Sequence, residues 1–170
     1  MDIWFNMLIG IPGSGKSTWL NIQPRKTYVV CPDSIRLYLT GDISNHSQEE
    51  TVWNIAKYTT RWALVNNISI TFDATNTSTF LRRDFLGALP LQVSDFKRKA
   101  ILFPTDPNVA VSRVNARTFG SKVPPEKIFQ SHLLFQQTLK DILDEDWDCI
   151  ETIGDSNGGK TVKIPESVRT

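Results

Sequence analysis

Cysteine is all but missing: Cys31 and Cys149 are the only two, widely separated and in no CxxC arrangement. A disulfide framework and a cysteine-ligated zinc site are thereby excluded, and two buried or idle thiols are expected. Long hydrophobic runs are missing as well. No apolar stretch nears the roughly 18 residues that span a bilayer. The opening MDIWFNMLIG has neither a basic n-region nor a small-residue cleavage site, so a cytoplasmic protein without a membrane partner is expected. Excess charge is the third absence. Lys and Arg total 19 against 18 Asp and Glu, a formal +1, which argues against the global basicity by which many nucleic-acid binders neutralise phosphates. What is present is ordinary for a folded domain: 40% apolar and 22% charged residues in a 170-residue chain. That length suits one domain with at most a short appendage.

The near-zero sum conceals an uneven distribution. Residues 1–81 hold six basic and six acidic side chains, residues 82–127 nine and four, and residues 128–170 four and eight. The basic middle is either a set of solvated faces or a surface aimed at phosphates.

The chain begins with a strand pattern, Ile3 to Ile9, rich in β-branched and aromatic residues. It runs straight into Gly10-Ile11-Pro12-Gly13-Ser14-Gly15-Lys16-Ser17, a complete GxxxxGK[ST], and Thr18-Trp19-Leu20 then starts a helix. Strand, glycine-rich loop and helix in this order predict a phosphate-binding P-loop. Its glycines allow successive N–H groups and the helix start to surround a β-phosphate. Lys16 then reaches the β- and γ-phosphates, and Ser17 offers its hydroxyl to Mg²⁺. Gly10, Pro12, Gly13, Ser14, Gly15, Lys16, Ser17 and Thr18 are the expected ATP-binding set.

Thr27 to Cys31 reads as a second strand and Ser34 to Leu39 as a short helix closed by Gly41. Ser47-Gln48-Glu49-Glu50 has capping-box spacing for a long helix to about Asn66, with Val52, Ile55, Ala56, Thr59 and Ala63 on its apolar face and Trp53 and Trp62 in the core. Ile68 to Phe72 is a third strand, with a helix from Ser78 to Leu89 after it. Lys99 to Phe103 is a fourth, followed by an Asp106 N-cap and a helix from Pro107 through Arg117. Pro124-Pro125 starts the last helix, to about Leu143. Cys149 to Ile153 and Thr161 to Ile164 read as a final strand and a hairpin partner across a glycine-rich loop. The alternation predicts an α/β fold: a three-layer P-loop NTPase, NMP-kinase-like, with a mostly parallel central sheet of about five strands and a small helical lid. Residues 1–154 would form that domain and 155–170 a C-terminal tail or hairpin strand.

Ligands bind such sheets beyond the carboxyl ends of the strands. That singles out Asp33 with Arg36 after the second strand, Asp73, Thr75 and Asn76 after the third, and Arg113 with Arg117 after the fourth, one helical turn apart on one face. Each has a plain structural alternative. Asp33 and Arg36 can be an i, i+3 pair at a helix start, Asp73 to Asn76 an Asx-type turn capping the next helix, and Arg113 and Arg117 a solvated face. Arg82-Arg83 and Lys97-Arg98-Lys99 carry no motif and read as solvated, while His46 and His132 are isolated and assigned no role.

Taken in order over residues 5–140, these motifs resemble the P-loop kinase domain of the bacteriophage polynucleotide 5′-hydroxyl kinases. Gly10 to Leu20, with Trp19, is similar to the family's nucleotide loop, and Asp33-Ser34-Ile35-Arg36 to its Asp-x-x-Arg. Asp73 with Thr75-Asn76 is similar to its Asp-Thr-Asn, Ala74 being an extra residue. Arg113 and Arg117 resemble its lid arginines, and Val123-Pro124 its hydrophobic residue and proline near the acceptor nucleobase, displaced by about one residue. The resemblance implies an ATP-dependent, Mg²⁺-assisted phosphotransferase acting on a hydroxyl of a nucleic acid, most simply the 5′-hydroxyl of DNA or RNA, in a host cytoplasm if phage-encoded. It implies catalytic roles for Lys16, for Asp33 as general base, for Arg36 as anchor of the phosphate 3′ of the acceptor nucleoside, and for Arg113 and Arg117 on the transferring phosphoryl group and ATP. Asp33, Arg36, Asp73, Thr75, Asn76 and Val123 would line the acceptor, with Asp73 orienting Arg36 or the metal's waters.

Three alternatives stay open. One is a kinase of a hydroxymethylated base, such as 5-hydroxymethyluracil in phage DNA; a second is a kinase of a nucleoside, nucleotide or sugar; a third is a non-catalytic nucleotide switch. Asp146-Trp147-Asp148 has the Asp-x-Asp spacing of phosphatases that form an aspartyl phosphate, but too few residues follow it for that fold. It is expected to be a surface loop between helix and strand.

Overall fold

The computed structural model describes residues 2–23, 27–89, 96–118 and 122–154 and the backbone of 160–162. Six strands form one sheet: β1 (Ile3–Ile9), β2 (Tyr28–Val30), β3 (Ile70–Asp73), β4 (Phe96–Leu102), β5 (Cys149–Thr152) and β6 (Lys160–Val162). Their spatial order is β2-β3-β1-β4-β5-β6. The first five are parallel, and β6 runs antiparallel to β5 with Val162 opposite Ile150. Six α-helices connect and cover them: α1 (Lys16–Ile22), α2 (Pro32–Thr40), α3 (Glu49–Val65), α4 (Thr79–Gly87), α5 (Pro107–Asn115) and α6 (Pro125–Asp141). This is the expected α/β P-loop NTPase fold. The tail expected from 155 onward falls largely on residues outside the described ones; β6 is its described part, and the loop at 155–159 and residues 163–170 lie outside.

The central strand explains the layering. Alternate residues of a strand face opposite sides, and β1 is apolar on both, as a parallel strand covered on both faces must be. Phe5, Met7 and Ile9 meet Ile70, Phe72 and Leu102 on one side, where Ala56, Leu64, Phe85, Val114 and Phe135 bring in α3, α4, α5 and α6. Leu8 and Ile101 lie on the other side with Phe103, against Trp19 of α1. The Trp19 and Phe103 rings meet edge to face, 5.7 Å between centroids. At about 1.5–3 kcal/mol for each large side chain removed from water, the broader cluster dominates the stabilisation. No helix among the described residues is long and apolar enough to cross a membrane.

Several local expectations need correction. The capping box before α3 does not form. Asn45 accepts from the Ser47 N–H instead and starts a 3-10 turn over His46–Gln48, so α3 begins at Glu49 with no side-chain cap. Its buried face is Val52, Ala56, Thr60, Ala63 and Leu64, whereas Ile55 is exposed and Trp62 is 49% exposed rather than in the core. α5 is capped by Asp106 but ends at Asn115, and the Arg117 N–H bonds back to Val114 only three residues away. Arg113 and Arg117 therefore do not share a helix face.

The basic middle also differs from its reading. Arg82 is not solvated but 1% exposed, and all five of its N–H groups are used. They reach both carboxylate oxygens of Glu145, the Asn76 carbonyl and the hydroxyls of Thr79 and Thr138. Trp147 donates its indole N–H to the same glutamate and is itself buried, so the loop Asp146-Trp147-Asp148 is pinned to the core. Lys97, Arg98 and Lys99 on β4 pair with Asp2, Asp146 and Glu151. Four of the nine basic residues in 82–127 are thus matched by acids, and Lys97 to Lys99 lie toward the amino end of β4.

Candidate active site

The P-loop joins the carboxyl end of β1 to α1. At Gly13 the backbone has φ +85°, and a Cβ would sit 2.5 Å from the Ala110 carbonyl oxygen. Only glycine meets both demands, a left-handed conformation and contact with α5. Gly15, φ +92°, is the N-cap of α1, which no side chain caps. The first-turn N–H groups are left to the loop and to whatever it binds. Lys16 folds inward: its ammonium donates to the carbonyls of Gly10 at 2.7 Å and Ile11 at 3.0 Å, and to Ser14 Oγ at 3.4 Å. Burial brings its pKa down to about 8, with the Asp73 carboxylate working in the opposite direction.

Two clefts share this loop. One, of about 790 Å³, has Trp19, Phe103 and Ile153 among its lining and is bordered by Arg113 and Arg117. The other, of about 880 Å³, brings together Lys16, Asp33, Arg36, Asp73, Thr75 and Val123, with Pro12, Ser17 and Thr18 at the loop. Arg117 lines both. Arg113 reaches toward the Gly13 carbonyl at 3.5 Å. Burial holds the Asp73 carboxyl above its usual range despite the charge of Lys16.

α2 presents Asp33 and Arg36 one turn apart, after Cys31 as N-cap and Pro32 at its first position. The Asp33 side chain is 57% exposed and takes one bond from Arg36, whose side chain is 6% exposed. Arg36 is gripped from the other side by Glu49 through Nε at 2.9 Å and Nη2 at 2.8 Å. Glu49 also accepts from the Trp53 indole at 2.9 Å and pairs with His46 at 3.0 Å. These contacts, Arg36 first, depress the Glu49 pKa to about 2. Among the described residues Glu49 and Asp33 occupy three of the guanidinium's five N–H groups, leaving one on each terminal nitrogen.

Two expected loop residues take structural parts. Asn76 is absent from the cleft lining: its backbone is left-handed, φ 51°, and its amide donates to the Leu8 carbonyl of β1 at 2.8 Å. Gly10 binds through its backbone, its N–H donating to Thr75. Ser78, not the Asx-type turn, caps α4. Residues the sequence reading passed over are Glu49, the clamp on Arg36, and Cys31, His46, Lys122, Lys127 and Ser131, which line the second cleft. Cys31 is therefore a half-buried cleft residue, its thiol pKa raised by burial. Glu49 lies 13 positions from Arg36, a separation with no helical or strand period, so only the α2–α3 packing brings the two together.

A P-loop NTPase with a kinase-like fold is the class the chain falls in. The chain belongs to the AAA domain family, whose model matches residues 6–140. No curated protein matches it. Among solved structures, one of the Pnkp1/Rnl/Hen1 RNA repair complex is similar over 82% of this chain and 46% of its own, with TM-score 0.70 and 23% identity. Another of the Pnkp1/Rnl/Hen1 complex matches 72% of this chain and 41% of its own, with TM-score 0.57 and 25% identity. The AvrRxo1-ORF1:-ORF2 structure with ATP matches 96% of this chain and 57% of its own, with TM-score 0.68 and 12% identity. This chain spans less than half the length of the RNA repair chains it matches.

Proposed function

We propose that residues 1–154 form an ATP-dependent kinase domain that transfers the γ-phosphate to a hydroxyl of a nucleic acid, most simply the 5′-hydroxyl end of DNA or RNA, with 155–170 as a tail. The observation that carries this reading is the meeting of Asp33 and Arg36 with Lys16 and Asp73 in one cleft, while Arg117 borders that cleft and its neighbour. The likeness to chains of an RNA repair complex and to a structure holding ATP supports it.

In this reading ATP occupies the first cleft, with its phosphates on residues 10–18. Lys16 exchanges the Gly10 and Ile11 carbonyls for phosphate oxygens. The acceptor hydroxyl enters the second cleft and attacks the γ-phosphorus. The new O–P bond forms as the bond to the β–γ bridging oxygen breaks, and the hydroxyl proton passes to Asp33. Such transfers have a loose transition state, so positioning and charge outweigh deprotonation. Arg117 and Arg113 supply charge at the transferring group. Arg36, held rigid by Glu49, offers its two remaining N–H groups to the phosphate 3′ of the acceptor nucleoside. Val123 borders the acceptor.

Magnesium fits the donor set. The Ser17 hydroxyl and the Asp73 carboxylate line the same cleft, and both are hard oxygen donors of the kind that ion prefers. When bound it would supply positive charge against the phosphate groups. Ser17 would hold it, with Asp73 on its waters. Incubation with γ-labelled ATP and Mg²⁺ tests the proposal against 5′-hydroxyl DNA and RNA oligomers, DNA bearing a hydroxymethylated base, and free nucleosides. Label at 5′ ends is expected; label on nucleosides alone overturns it.

A further inference from the structure

The second cleft holds more positive charge than one acceptor phosphate requires. Lys16, Arg36, Arg117, Lys122 and Lys127 line it, against the carboxylates of Asp33 and Asp73. In the proposed function, which this inference deepens, Lys16 and Arg117 serve the donor and Arg36 the first 3′ phosphate. Lys122 and Lys127 are left over. Among the described residues neither forms an ion pair, in contrast to Lys97, Arg98 and Lys99 on β4. Lys127 and Ser131 stand one turn apart on α6, so both project from one face of that helix into the same space. A volume of about 880 Å³ lies toward the upper end of the range for small-ligand sites, about 300–1,000 Å³. The cleft has room for more than a terminal nucleotide.

We infer that Lys122, Lys127 and Ser131 form a phosphate track that holds the second and later phosphates of the acceptor strand. Arg36 reads the phosphate next to the reacting nucleoside, and the α6 side of the cleft holds those that follow. The acceptor is then a strand and not a mononucleotide. Flexible lysines suit this task, because they neutralise phosphates as point charges and read no sequence.

Two measurements test the track. The first is the ratio of KM for a 5′-hydroxyl nucleoside 3′-monophosphate to KM for a single-stranded hexamer, in wild type and in the double variant Lys122→Ala/Lys127→Ala. The ratio is expected to be at least about tenfold in wild type and to fall near one in the double variant. The slope of log KM for the hexamer against log salt should shrink by about 1.4, at about 0.7 for each phosphate contact on a single strand. Lys140→Ala, which removes a charge further along α6, should leave the ratio as in wild type. A ratio unchanged in the double variant, or changed equally by Lys140→Ala, overturns the track. The second measurement is fluorescence-anisotropy binding of a 5′-phosphorylated hexamer, which needs no catalysis. Binding lost in the double variant supports the track even if no hydroxyl is phosphorylated, in which case the kinase reading alone fails; no binding by wild type overturns the track.

Discussion

Arg36 and Arg82 are built alike and differ in what they leave free. Each is buried, each is gripped through Nε and Nη2 by both oxygens of one glutamate, and each glutamate also accepts from a tryptophan indole: Glu49 and Trp53 for Arg36, Glu145 and Trp147 for Arg82. The difference lies in what remains. Arg82 spends its other donors on Asn76, Thr79 and Thr138, with both charges sealed from water. Arg36 meets one more partner, the exposed Asp33, at the wall of a cleft. A fully satisfied buried ion pair fixes a packing arrangement; the same device with donors in hand is suited to the ligand-binding role proposed for Arg36, held rigid in advance. Arg82 is not idle in function, since through Asn76 it braces the loop that carries Asp73 and Thr75 and adjoins the P-loop strand.

The contrast can be broken from either side. The largest effect is expected at the open site: in the proposed kinase Asp33→Ala should lower kcat by about 10²–10⁴-fold, the usual worth of a positioned general base, while circular dichroism and urea unfolding show an intact fold. Next comes the sealed site. Arg82→Ala leaves Glu145 buried and unpaired, and should cost about 3–5 kcal/mol of unfolding free energy in urea melts, whereas Arg82→Met with Glu145→Leu should recover much of that loss. Equal stability losses for Arg82→Ala and Arg36→Ala would erase the distinction. At Arg36 the substitution to Ala should raise KM about 10–100-fold for acceptors bearing a 3′ phosphate, as loss of charge-assisted hydrogen bonds does. An equal rise for acceptors without that phosphate would remove its anchoring role.

The smallest expected effect concerns pH. The Lys16 pKa is depressed, to about 8, so the free protein carries a charged Lys16 below that value and loses it above. Nucleotide affinity should be full below pH 8 and weaken as pH rises through it, with proton uptake on binding. Calorimetry in buffers of different ionisation enthalpy would measure that uptake, and Lys16→Met should abolish it. Folding stability has the same origin. The unfolded chain, with Lys16 near 10.5, binds more protons between the two values, so the burial penalty on this residue is relieved as pH climbs from 8 toward 10.5.

Much of the site was legible because it is carried by short, contiguous motifs. Gly10 to Ser17 needs no distant partner to be recognised, and the strand before it was placed at Ile3 to Ile9, where β1 lies. Asp33 and Arg36 could be paired from their spacing alone. Other features resisted for identifiable reasons. The Ser47 to Glu50 spacing fits a capping box, but the Asn45 side chain accepts from the Ser47 N–H and the chain turns through a 3-10 segment instead. Arg82-Arg83 looks solvated because burial of an arginine depends on a glutamate 63 residues away. Asn76 looked like a ligand because its amide could serve substrate or backbone equally well, and here it serves the Leu8 carbonyl.

The balanced charge shows the division most plainly. The sequence by itself determined that nine basic residues fall in 82–127, that a phosphate-binding loop starts the domain, and that strands and helices alternate to give an α/β sheet, since these follow from local conformational preference and hydrophobic period. Only the tertiary structure decided which of those charges are cancelled. Arg82, Lys97, Arg98 and Lys99 meet acids brought near by the sheet and by α4 packing, while Arg117, Lys122 and Lys127 are carried to the cleft beside the P-loop. Ion pairing acts over a few ångströms of space, so spacing reveals it only within one helical turn, as for Asp33 and Arg36, and the acids that meet Arg82, Lys97, Arg98 and Lys99 lie far along the chain.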